Sequence, residues 1–191
     1  MHDVSHIMKS KFFIVALIIL LLGCSDYELF EGIKIRQYAS KVIRFSSQYD
    51  TTNPPDWSAS KALKAEDVYP AYGDLPNAWA SATEDGQREY LELGFDTIQT
   101  VRTVEVFETY NPGAIDTIFL RDSSSKKWTK IYSKPAITTL PKKSRIFTIQ
   151  MIETSFFADA IRIAINSKAV AGWNEIDAVA ITGQRKNNTN P

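Results

Sequence analysis

Glu89-Tyr90-Leu91-Glu92-Leu93-Gly94-Phe95 decides the fold class, because its apolar residues alternate with polar ones. Leu91, Leu93 and Phe95 fall on one face and Tyr90 and Glu92 on the other, the period-two signature of a strand with one buried side. Residues 160–165 repeat the pattern, with Ile161, Ile163 and Ile165 pointing one way and Arg162 the other. Working outward, six more short runs rich in β-branched and aromatic residues lie at 42–45, 101–110, 114–121, 128–133, 145–152 and 178–182. Turn chemistry separates them: Asn111-Pro112-Gly113, Asp122-Ser123-Ser124-Ser125, Lys134-Pro135, Pro141-Lys142-Lys143 and Ala171-Gly172. Eight strands with no long helical period predict an all-β fold, an antiparallel sandwich or jelly roll. A single helical turn is expected within 60–65.

Composition narrows the function classes. The 191 residues are 44% hydrophobic and 12% aromatic, enough for one compact domain plus a tail or two. Basic and acidic residues balance at 22 each, so no cationic excess argues for nucleic acid. The lone cysteine, Cys24, leaves no partner for an internal disulfide. The two histidines, His2 and His6, both precede an apolar run at 12–22. If that leader is removed, histidine-based triads and histidine-ligated zinc go with it, and the chain is expected not to be an enzyme.

Lys9 and Lys11 before the apolar run have the pattern of a secretory signal. From Phe12 to Gly23 the run is twelve residues, short of the ~20 a helix needs to span a bilayer core. It ends Leu21-Leu22-Gly23-Cys24, which resembles the bacterial lipobox. That resemblance implies cleavage after residue 23 and a Cys24 carrying diacyl and N-acyl (palmitate-type) chains, several chains being what stable anchoring takes. Ser25, where an aspartate would suggest inner-membrane retention, favours an outer-membrane lipoprotein of the cell envelope. The expected organisation is a signal peptide at 1–23, a lipid-anchored spacer at 24–40, the sandwich at 41–183 and a polar tail at 184–191. Within the sandwich, 46–83 has no clear periodicity, and something must order so long an irregular stretch.

The body resembles the galactose-binding-domain-like superfamily, which includes discoidin and coagulation-factor C domains. The stretches that carry the likeness are Phe45-Ser46-Ser47-Gln48-Tyr49, Val68 to Asp74 with Ala78-Trp79, and Tyr90 to Phe95. They continue with Glu108 to Ala114 and Gly172 to Val179. The resemblance implies an eight-stranded jelly roll that recognises ligands with loops at one end and often holds a structural calcium ion. In that superfamily a loop aspartate and a late glutamate share the calcium, which places Asp67, Asp74 and Glu175 as candidate ligands here.

Alternation sets Glu175 and Asp177 on the side of Val179 and Ile181, so these carboxylates need a partner: calcium, a cationic side chain or backbone N–H groups. Among the tryptophans, Trp79 and Trp128 are expected in the core. Trp57 and Trp173 sit in loop contexts where an indole suits a sugar ring, with Tyr72, Tyr110 and Asn174 as further ligand candidates. Glu108, just before the Asn-Pro-Gly turn, suits either a ligand hydroxyl or the N–H groups of the turn itself. The function expected is a lipid-anchored, non-catalytic module binding a glycan or another envelope ligand through its end loops, with no nucleic-acid partner. The alternative is an assembly lipoprotein that docks an envelope protein.

Overall fold

The computed structural model describes residues 33–52 and 55–185. Nine strands lie within them: β1 Lys34–Tyr38, β2 Lys41–Phe45, β3 Arg88–Gln99, β4 Thr103–Tyr110, β5 Ile115–Asp122, β6 Trp128–Ser133, β7 Arg145–Gln150, β8 Ala158–Asn166 and β9 Glu175–Gln184. Two antiparallel sheets face each other, one ordered β1-β9-β4-β7 and the other β2-β3-β8-β5-β6. The only helical pieces among the described residues are 3₁₀ turns at Ala59–Ala62 and Ser167–Ala169. This is the galactose-binding-like jelly roll.

The alternating runs supply the core. Leu91, Leu93, Phe95, Ile161, Ile163 and Ile165 are all buried between the sheets, with Val104, Val106, Val179 and Ile181 opposite. Their register follows from burial, because a one-residue slip would turn each apolar set to water. Leu91↔Ile163 and Leu93↔Ile161 pair directly.

All eight expected strands form, and a ninth, β1, pairs with β9 from Lys34↔Gln184 to Tyr38↔Ala180. Part of the segment expected to be spacer is therefore an edge strand of the sandwich. Its sequence, Lys-Ile-Arg-Gln-Tyr, is mostly polar because an edge strand buries little. Its Gln37 amide donates to Thr97 O and Gln99 Oε1, both at 2.6 Å, so hydrogen bonding rather than apolar packing fastens it. Likewise β9 runs to Gln184, one residue into the expected tail.

Candidate functional site

Register decides which loops meet. Tyr110 lies opposite Glu175, Ile115 opposite Ile165 and Arg88 opposite Asn166. The connections 46–87, 111–114 and 167–174 therefore open at one end of the sandwich. The connections 100–102, 123–127 and 151–157 lie at the other.

The long 46–87 connection is ordered by the last strand. Trp79, fully buried, makes an isolated bridge to Ile176: Trp79 N–H donates to Ile176 O (2.8 Å), and Ile176 N–H to Trp79 O (3.1 Å). Its indole N–H donates to Ser47 O at 3.0 Å. Asp177 then collects three backbone N–H groups, those of Asp67 (3.3 Å), Val68 (3.2 Å) and Tyr69 (2.8 Å). Burial raises the Asp177 pKa and the three N–H groups lower it; burial prevails. Of the partners considered for the buried carboxylates, backbone N–H groups are the ones Asp177 has.

Glu175 is satisfied less well. Its Oε2 accepts only a long bond from Leu75 N–H (3.4 Å), and its buried Oε1 has no hydrogen-bond partner. The Asp74 carboxyl lies within hydrogen-bonding reach, and the Trp57 indole N–H approaches without an aligned hydrogen bond. Burial first, and Asp74 second, push the Glu175 carboxyl up to about 9, so at neutral pH Glu175 keeps its proton. No cationic side chain compensates it among the described residues. The contrast with Glu108, Glu92 and Asp159 is plain, since an arginine holds each of those.

Above this pair is a pocket of about 240 Å³ lined by Tyr49, Trp57, Asp74, Ala80 and Trp173. Tyr49, half exposed, packs edge-on against both indoles, with centroids 5.3 Å from Trp57 and 5.3 Å from Trp173. Trp57 holds φ at +48°, and hydrogen bonds on both sides fix it: its N–H donates to Pro76 O (2.9 Å) and its carbonyl accepts from Ala80 N–H (3.1 Å). Trp173 is held by its indole N–H to Ser81 O (3.1 Å).

Asn111 ties the neighbouring residues to this wall. It accepts from the Tyr72 hydroxyl (3.2 Å) and donates to Trp173 O (3.0 Å), while the Asn174 amide donates to Asn111 O (2.9 Å). Tyr72 and Tyr110 pack at 5.5 Å between centroids. Gly113 keeps the adjoining turn tight: at φ +117°, a Cβ there would lie 2.2 Å from Ile137 O.

The structure thus gathers Trp57, Tyr72, Asp74, Tyr110, Trp173, Asn174 and Glu175 at one end. Three expectations change. Glu108 is not available to a ligand: one oxygen accepts from Gly113 N–H (2.7 Å) and the other from Arg145 Nε (2.6 Å), so it pins the turn. Asp67 does not join Asp74 and Glu175 but faces Asp177, and no three acidic, histidine or cysteine side chains converge among the described residues. Only Asp74 and Glu175 of the three expected calcium ligands come together, and the buried Glu175 Oε1 there has no hydrogen-bond partner. Trp128 is only partly buried and lies under Arg162 and Arg121, at 4.8 and 5.5 Å from ring centroid to guanidinium, rather than in the core. Cys24 lies outside the described residues. Tyr49 and Asn111 complete the site without having been singled out. Asn111 carried a signal in its Asn-Pro-Gly turn, and Tyr49 only its place in the Phe45–Tyr49 stretch of the family likeness.

Fold and end-loop architecture define a galactose-binding-like domain with a loop-built pocket. The chain belongs to the family described as Pappalysin-1, SD scarf domain, C-terminal, whose model matches residues 30–190. It is 25% identical to F-box/LRR-repeat protein 4 of Bos taurus over 180 residues, spanning 80% of this chain and 29% of that protein's length. Among solved structures it resembles the C-terminal domain of a chitobiase from Bacteroides fragilis (TM-score 0.54, 13% identity, 81% of this chain and 100% of that one). It also resembles a labelled variant of chitosan-binding module 1 from Paenibacillus sp. IK-5 (0.52, 17%, 78% and 100%). The family 32 carbohydrate-binding module of C. perfringens NanJ, solved with galactose, is similar too (0.50, 14%, 78% and 99%). At these identities the likeness is one of fold.

Proposed function

We propose that this chain is a non-catalytic binding module that recognises a glycan at the Tyr49–Trp57–Trp173 pocket and is fastened to the cell envelope by lipid on Cys24. One observation carries the glycan reading: three aromatic rings and a carboxylate line a shallow pocket held by loop hydrogen bonds. Aromatic faces stack on the C–H faces of a sugar ring, and carboxylates accept its hydroxyls. So small and open a pocket suits contact with part of one sugar ring or a chain end rather than enclosure of a ligand. Two of the similar folds, a chitosan-binding module and a carbohydrate-binding module, support the same reading.

In this proposal a calcium ion would sit on Asp74 and Glu175, with water and backbone carbonyls completing the six to eight oxygens it takes. Its charge would displace the Glu175 proton and stiffen the 57–75 segment. The N-terminal pattern supports outer-membrane lipoprotein anchoring, which mass spectrometry of protein extracted from membranes tests directly.

Titration calorimetry against an array of host and cell-wall sugars tests the pocket. Binding that is lost in Trp173→Ala, in a protein that stays folded, is the expected result. Silence on every sugar, with a captured envelope protein in its place, would instead point to the assembly role.

A further inference from the structure

At the end of the sandwich opposite the pocket, the chain enters the fold beside an exposed apolar and cationic patch. Ile152 is 95% exposed and Ile33 57%, the two most exposed large hydrophobics among the described residues. Arg185 N–H donates to Ile33 O (3.0 Å), Met151 N–H to Arg102 O (3.0 Å) and Arg102 N–H to Thr182 O (2.8 Å). Backbone hydrogen bonds therefore hold the patch as one rigid surface. A groove there is lined by Lys34, Arg102, Thr103, Gln150, Met151 and Ile152, with two cations and no acid.

The two arginines of this end differ from most of the arginines in the molecule. Arg36, Arg88, Arg121, Arg145 and Arg162 each hold a carboxylate. Arg102, Arg185 and Lys34 make no ion pair among the described residues. Two of the three arginines left without a carboxylate thus stand at this one end, the third being Arg44 on β2.

Chain length says what would cover the patch. Eight residues, and so nine backbone steps, lie between Cys24 and Ile33. Fully extended they reach about 30 Å, so an acylated Cys24 keeps this end within that distance of the bilayer surface. Unpaired cations beside exposed isoleucines match an anionic headgroup layer over an acyl boundary.

We propose that the Ile33–Lys34–Arg102–Ile152–Arg185 end is a membrane-contacting surface that rests on anionic lipid and directs the pocket away from the bilayer. The inference rests on the lipid-anchor reading. The test uses full-length protein purified from membranes, with acylation of Cys24 checked by mass. In such protein Ile152→Cys supplies a free thiol for an environment-sensitive fluorophore, and Ala82→Cys does so at the pocket end. Each is reconstituted in vesicles of phosphatidylcholine and phosphatidylglycerol at 7:3 carrying a bilayer-embedded quencher.

Quenching at residue 152 at least two-fold stronger than at residue 82, weakened by Arg102→Glu with Arg185→Glu, is the expected result. An acylated chain whose residue 152 is quenched no more than residue 82 overturns the inference and leaves the anchor standing. A chain recovered without acyl groups overturns both.

Discussion

The two ends of this sandwich are built from the same strands and differ in how their polar groups are paired. At the pocket end two buried carboxylates have no arginine or lysine: Asp177 draws three backbone N–H groups from the long loop, and Glu175 is left with Asp74 and one weak N–H. At the opposite end two arginines, Arg102 and Arg185, have no carboxylate among the described residues and stand beside exposed isoleucines. A formal net charge of zero conceals both features. A balanced composition thus says nothing about local pairing, and unpaired groups are where a binding surface is to be sought.

The largest effect is expected at the carboxylate with the most partners. Asp177→Ala strands three N–H groups; at the low end of the cost of an unpaired group, about 1 kcal/mol each, Tm should fall by at least roughly 6–12 °C. A melt within 1 °C of the parent chain would mean that the loop is ordered by something else.

Next comes the pocket wall. Trp57→Ala should abolish measurable sugar binding and cost about 2–4 kcal/mol, because the indole is both wall and packing partner of Tyr49. Trp173→Ala should lose binding with a smaller stability loss. Full affinity in both variants would remove the pocket from consideration.

The Glu175 pair gives a pH signature with a definite sign. A carboxyl raised from 4.5 to about 9 binds a proton in the folded chain that the unfolded chain has already released. Stability is therefore highest below the unfolded pKa, falls as pH rises between the two values, and levels off above about 9. In calcium-free buffer, Glu175→Gln should flatten this fall and melt higher than the parent at pH 8. Parallel Tm profiles for the two proteins from pH 5 to 9 would contradict a raised Glu175 carboxyl.

Calcium sharpens the same contrast. Millimolar calcium should raise Tm by a few degrees at pH 8 through mass action and EDTA should reverse it, with no response in Asp74→Asn. An identical response in Asp74→Asn would place the ion elsewhere.

The smallest effect belongs to the opposite end. Ile152→Ser and Arg102→Ser should each change folding stability by less than about 0.5 kcal/mol, since neither side chain is buried. A large loss in chemical denaturation would show that the patch is structural.

The core was legible in the sequence because burial of one face imposes a period of two, as at Leu91-Glu92-Leu93 and Ile161-Arg162-Ile163. β1 escaped because its fastening residue is Gln37, a polar side chain bonded to β3, and polar pairing leaves no periodic trace. Trp57, Tyr72, Tyr110, Trp173 and Asn174 could be named as loop residues at strand ends. Their partner Tyr49 could not, since its role depends on two indoles 8 and 124 residues away in the chain. Glu108 was legible only as a choice between ligand and turn, and Arg145, 37 residues later, settles it.

By itself, the sequence determined the class of fold, most strand positions and the end loops that carry the site, all of which follow from local alternation and turn chemistry. Folding in space settles which carboxylates are satisfied, that Asp67 serves Asp177 while Asp74 meets Glu175, and that Arg102 and Arg185, with no carboxylate partner among the described residues, stand together at the far end. Pairing is a property of distance in space, and strand register, set by burial of the whole core, fixes those distances.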